Sequence, residues 1–141
     1  MPPVDFHLLV VTDRHQTNGR PLVPLLQRVL AVGISMVQLR ERDLSAKELV
    51  TLAGEVQAMM ASRRAHFLIN DRIDVALALA GVGVHLRSNS LPVPVARQLL
   101  GSGRLLGVSV HGVEEAMQAE SQGADYIVLG PIYETPSKQM F

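Results

Sequence analysis

The chain has 141 residues, the length of one domain, and 48% of them are hydrophobic, which suffices for a packed core and excludes a disordered composition. Lys plus Arg number 13 and Asp plus Glu also 13, so no field of one sign surrounds the molecule; neither nucleic acid nor an anionic membrane surface is expected as its main partner. The absence of Cys rules out a disulfide framework and a thiolate metal site.

Aromatic residues are 4% of the chain and Trp is absent, so the core must be aliphatic. No window of roughly 18 apolar residues occurs, and no membrane span is expected. The opening MPPVDFHLLVV has neither a basic segment nor a small-residue cleavage site, so no signal peptide is expected and the plain reading is a soluble cytoplasmic protein.

Short apolar runs alternate with stretches of helical period. His7 to Val11 reads as a strand, followed by the polar turn TDRHQTNGR. Pro21 opens a helix to about Val32, at a position where its missing donor costs nothing, and Gly33 stops it. Met36 to Leu39 is a second strand. Ser45 with Glu48 three residues on is a capping box, and the helix it starts carries Leu49, Leu52, Ala53, Val56, Met59 and Met60 as a core-facing stripe. Phe67 to Ile69 is a third strand, Arg72 to Ala80 a short helix, and Val82 to Leu86 a fourth strand. Pro92 precedes a helix over Val93 to Leu100; Leu105 to Val110 is a fifth strand. Val113 to Ser121 is a helix ended by Gly123, and Tyr126 to Leu129 a sixth strand. Strands joined through helices run parallel by right-handed crossovers, and their continuous Val, Leu and Ile character fits burial on both faces. The chain, residues 1–141, is therefore read as one α/β domain, either an open doubly wound sheet or an incomplete barrel, with the barrel slightly favoured.

Polar groups gather just past the strand ends, where active sites form in both architectures. After the second strand QLRERD offers Gln38, Arg40 and Arg42; two guanidiniums there suit a phosphate or carboxylate, although RERD also reads as a self-neutralising charged turn. Asn70 and Asp71 follow the third strand, where Asp serves a hard cation only in the company of another carboxylate and more often caps a helix. The loop after the fourth strand, Arg87, Ser88, Asn89 and Ser90, supplies no such carboxylate. After the fifth strand stand Ser109 and His111; a histidine at a barrel mouth shuttles protons near neutral pH. His85, inside the apolar run VGVHL, reads as a structural histidine. Thr135, Ser137 and Lys138, in a Gly/Pro-rich loop after the sixth strand, suit either a phosphate or an ordinary surface turn.

Taken together, LLVVTDR, QLRERDLS, INDRIDVALALAGVGVHL and GVSVHGVEEAMQAESQGADYIVLGPIYETPSK resemble the thiamine-phosphate synthase and thiazole tautomerase (TenI-like) family over almost the whole chain. The resemblance implies a (β/α)₈ TIM barrel, here cut to about six parallel strands and five helices. In the synthase branch, a transferase joins a pyrimidine diphosphate to a thiazole phosphate and releases diphosphate with Mg²⁺. Gln38, Arg40 and Arg42 then fill the diphosphate motif, with Arg in place of its last Lys, and Asn70 and Asp71 match the diphosphate and Mg²⁺ residues. Ser90 stands where the second metal carboxylate belongs, and Arg87 adds a positive charge beside it. The tautomerase branch is an isomerase that needs no metal or cofactor. It moves a proton on a carboxythiazole phosphate, and its acid/base histidine matches His111, with Arg40 or Arg42 on the substrate carboxylate. The lost acidic loop, the RER variant and ETPSK favour this branch. The synthase is the alternative, and a non-catalytic binder of phosphorylated ligands a second one.

Family members continue through a seventh and eighth strand that hold the thiazole phosphate. Six strands alone leave the first and sixth with open edges. The expectation is a piece of a longer parent, stabilised by pairing of two copies across those edges, and weak or absent catalysis by the piece alone.

Overall fold

The computed structural model describes residues 4–134. Six parallel strands lie side by side in chain order: β1 (Val10–Val11), β2 (Met36–Leu39), β3 (His66–Asn70), β4 (Gly83–Leu86), β5 (Leu106–Val110) and β6 (Tyr126–Leu129). Between successive strands run α1 (Leu22–Ala31), α2 (Ala46–Met60), α3 (Ile73–Leu77), α4 (Val93–Leu100) and α5 (Val113–Ser121). Every neighbouring pair of strands is parallel, as helical crossovers require.

Alternation divides each strand between two apolar layers. Val37, Leu39, Ile69, Val84, Leu86, Leu106, Val108 and Val110 face the helices and pack on Leu26, Leu30, Leu49, Ala53, Val56, Val75, Ala96 and Leu100. Met36, Leu68 and Leu105 form a second cluster with Phe6, Leu9 and Tyr126. That cluster is what distinguishes a curled sheet from a flat one. Phe6 precedes the first strand and Tyr126 begins the last, yet their rings meet edge to face with centroids 5.4 Å apart. The sheet thus bends into a half-barrel whose lower interior is filled, and of the two architectures left open by the strand pattern it takes the barrel type.

Two glycines make room for that filling. A Cβ at Gly83 would lie 2.5 Å from the Leu105 carbonyl oxygen and 2.8 Å from Leu68 Cδ2, and one at Gly107 would collide with the Tyr126 ring.

β4 and β5 each begin one residue later than expected, and two elements are shorter than their sequence patterns by several residues. β1 is confined to Val10–Val11 rather than His7 to Val11, because only Val10 and Val11 find partners, Val37 and Gln38, while Leu9 turns into the interior cluster. α3 stops at Leu77 instead of Ala80. The Ala76 carbonyl of its last turn is bound from outside by Arg104 Nη1 at 2.6 Å, which also donates to the Leu79 and Val82 oxygens of the following turn at 2.9 and 3.0 Å, so the chain leaves the helix there. A 3₁₀ turn over Arg14–Gln16, capped by Asp13, was not expected from the sequence. Among the described residues no helix is long and apolar enough to cross a membrane.

Candidate functional site

The carboxyl ends of the strands carry a polar interior and above it a charged rim. In the interior, Gln38 Nε2 donates to Asn70 Oδ1 at 3.0 Å, with both side chains buried. Neighbouring β4 places His85 in register with Asn70. His85 is 4% exposed, and both ring nitrogens are engaged, Nδ1 with the Tyr126 hydroxyl and Nε2 with Ser109 Oγ, each at 2.9 Å. Burial without a charged partner lowers its pKa to about 4, so the ring is neutral. Burial, and then the charge of Asp125, push the Tyr126 hydroxyl above its ordinary value. His85 is the satisfied structural histidine that its apolar run suggested. Ser109 is tied to it rather than to His111, two residues further on.

At the rim, Asp71 adopts φ 63°, a left-handed conformation that Asp tolerates better than most side chains, and its amide donates to the His85 carbonyl at 2.9 Å. This turn aims its carboxylate at the loop after β4. There Arg87 Nε donates to Oδ2 at 2.8 Å, Arg87 Nη2 closes a second contact on the same oxygen, and the Ser90 hydroxyl donates to Oδ1. Ser90 Oγ in turn accepts from the Arg87 amide at 2.9 Å. Both carboxylate oxygens are therefore committed to a guanidinium and a hydroxyl. The resemblance implies Mg²⁺ at Asp71 in the synthase branch, and these residues do not fit it. Among the described residues no three His, Cys, Asp or Glu side chains gather as a metal-ligand group, and the position expected to supply the second carboxylate supplies Ser90.

His111 stands exposed at the end of β5. Its Nδ1 lies 2.6 Å from the Gly130 carbonyl oxygen, which can only accept, so Nδ1 carries a proton and, in the neutral form of the ring, the lone pair is on Nε2. The Ser88 hydroxyl reaches that nitrogen at 3.2 Å, a loose contact that a reacting group can replace.

Arg42 and Asn70 border one cleft of about 290 Å³ together with Asp71, Arg72 and Arg87. Arg40 reaches the other way, into a cleft of about 370 Å³ between β1 and α1. The two arginines meet on a third cleft, of about 270 Å³, with Asp13, His15, Glu41 and Asp43. Sequence reasoning missed Arg72 as a neighbour of the site and Arg14, which binds both acids of the RERD turn. Only the shared loop positions hinted at either. Thr135, Ser137 and Lys138 lie outside the described residues.

Fold and rim together define a parallel β/α half-barrel with a neutral histidine buried in its interior and an exposed histidine, a clamped carboxylate and several guanidiniums at its strand ends. Residues 8–141 match the family described as thiamine monophosphate synthase. A putative thiamine-phosphate synthase of Geobacter sulfurreducens is 50% identical over 141 residues, all of this chain and 66% of the relative. The thiamine-phosphate synthase of Moorella thermoacetica is 43% identical over 98% of this chain and 65% of its own length. Among solved structures, the thiamine phosphate pyrophosphorylase of Pyrococcus furiosus superposes with a TM-score of 0.81 at 31% identity, over 90% of this chain and 61% of that one. The chain belongs to the thiamine monophosphate synthase family, and it spans about two-thirds of the length of the relatives it matches.

Proposed function

We propose that the protein serves thiamine biosynthesis by acting on a phosphorylated thiazole, and that its chemistry is a metal-free proton transfer at His111. The observation that carries this reading is the fixed tautomer of His111. With Nδ1–H donated to the Gly130 carbonyl, Nε2 faces the rim as a base. It takes a proton from one ring atom of a carboxythiazole phosphate and, as an imidazolium, returns it at another, leaving the aromatic isomer. Protons balance within the cycle, and no oxidant or leaving group is needed. Arg40 or Arg42 holds the substrate carboxylate, Gln38, Asn70 and Ser109 furnish the polar floor beneath it, and the clamped Asp71 supports the loop beside it.

The synthase reaction is the second reading, and the names of the relatives favour it. It requires the Asp71–Arg87 contact to open before a cation has a ligand there.

The two are separated by a paired assay on the protein at the length of its relatives. One reaction contains the thiazole tautomer without metal, the other both synthase substrates with Mg²⁺. The isomerase reading expects turnover in the first alone, falling about 10²–10⁴-fold in His111→Ala. Isomerisation at the wild-type rate in that variant overturns the role of His111. Thiamine phosphate in the second reaction establishes the synthase. Tight binding of the thiazole phosphate with no turnover in either identifies a non-catalytic binder.

A further inference from the structure

The turn after β2 reads Arg40, Glu41, Arg42, Asp43, and adjacency alone predicts that its acids neutralise its arginines. They pair elsewhere. Glu41, its side chain 1% exposed, accepts from Thr12 Oγ1 at 2.7 Å, from Arg14 Nη1 at 3.0 Å and from the Arg14 amide at 3.2 Å. Asp43 accepts from Arg14 Nη1 at 2.7 Å and also contacts Arg14 Nη2, while His15 Nε2 lies 3.0 Å away. Arg14, then His15, hold the Asp43 carboxyl down to about 2. One guanidinium from the turn after β1 thus takes both acids of the next loop. Among the described residues neither Arg40 nor Arg42 has an acid within ion-pair distance.

The same contacts fix the loop's position. Thr12 Oγ1, which donates to Glu41, accepts the Arg40 amide at 3.0 Å, so the backbone that carries Arg40 is tied to β1 through the Glu41 contact. The remaining acid of the shared cleft, Asp13, is engaged as a cap, accepting from the His15 amide at 3.0 Å and Gln16 Nε2 at 2.8 Å. Arg14 itself does not line any of the three clefts at this rim.

We propose that Arg14 is a positioning residue: by drawing Glu41 and Asp43 onto itself it keeps Arg40 and Arg42 available to grip the anionic group of a phosphorylated substrate. Without it, two carboxylates one residue from the arginines compete with the ligand for the same planar donors. The proposal rests on the anion-holding role of Arg40 and Arg42 given above, but not on which reaction follows.

The test is calorimetric titration of the full-length protein with inorganic pyrophosphate, without metal. R40A/R42A defines the part of the binding that belongs to the pair. Arg14→Ala is expected to weaken that part about tenfold, and Arg14→Ala/Asp43→Asn to recover most of the loss, because an acid that competes has been neutralised. Arg28→Ala, on the exposed side of α1, removes the same charge and is expected to change nothing. If Arg14→Ala binds like Arg28→Ala, the proposal is wrong. A double variant no better than Arg14→Ala assigns Arg14 to folding alone and also overturns it. Wild-type protein that binds no pyrophosphate through the pair overturns the proposal as well, a result independent of whether His111 supports turnover.

Discussion

Inside the half-barrel His85 spends both nitrogens on neighbours, Tyr126 below and Ser109 above, and stays neutral because burial lowers its pKa from 6.5 to about 4. In the unfolded chain the same ring titrates near 6.5. Between these values the unfolded state binds a proton that the folded state refuses, so stability is full above about pH 6.5 and declines as the pH falls toward 4. The shift corresponds to on the order of 3 kcal/mol. Urea unfolding followed from pH 7 to 4 should show this loss, and His85→Gln should flatten it while lowering stability at pH 7. An unchanged slope in the variant removes His85 as the cause. His85 was legible as structural from its apolar run, and His111 as exposed from its place past a strand end. Their partners were not. Asp71 meets Arg87 16 residues away and Glu41 meets Arg14 27 away, so which charges cancel is decided by loop packing, whereas adjacency suggested RERD would neutralise itself.

Helix ends behave as local chemistry dictates where their donors are local. Ser45 and Glu48 form the capping box their spacing announces, with Ser45 Oγ accepting the Glu48 amide at 3.3 Å and Glu48 Oε2 accepting the Ser45 amide at 2.9 Å. Ser45→Ala should cost about 1 kcal/mol in chemical denaturation, and no loss would mean that the box is replaced by water without penalty. Gly33 and Gly123 take positive φ after α1 and α5, which is why those endings were readable. α3 was misjudged because its terminus is set by Arg104, a residue of the turn before β5. Arg97 acts in the same long-range way. From α4 it donates Nε and Nη2 to the Gly123 carbonyl at 2.9 and 2.8 Å, Nη1 to the Gly101 and Arg104 carbonyls at 2.8 and 2.9 Å, and Nη2 to the buried Asp125 at 2.7 Å. Asp125 also accepts the Leu106 amide at 2.7 Å, so one guanidinium ties α4, the end of α5 and the start of β5 together. A lysine has no fork to span these acceptors. Arg97→Lys should therefore lose about 2–3 kcal/mol in the same measurement, and a loss under about 0.5 kcal/mol would show that solvent substitutes for the fork.

At the scale of the molecule the parallel order and the helical covering followed from alternating strand and helix patterns, but the curl did not. It is visible only in the contact of Phe6 with Tyr126 across the sheet. A curl of six strands still has two edges. Val84 and Val108 of the central strands are 0% and 6% exposed, whereas Val11 of β1 is 47% exposed and Ile127, Val128 and Leu129 of β6 are 37%, 41% and 46% exposed. Among the described residues the edges also present backbone groups with no partner strand, a template for pairing with another chain. The 141-residue chain should therefore associate with its own copies, covering β1 and β6. Sedimentation velocity from low to high micromolar concentration checks this, and a species of 15.3 kDa that persists throughout would overturn it. Hydrogen exchange locates the contact: pairing at the edges should slow the amides of Ile127 and Leu129, which face away from β5, as concentration rises and leave those of β3 unchanged. Association that instead protects the outer faces of α4 or α5, where Leu99 and Met117 are 49% and 65% exposed, would place the contact on the helices and leave the strand edges open.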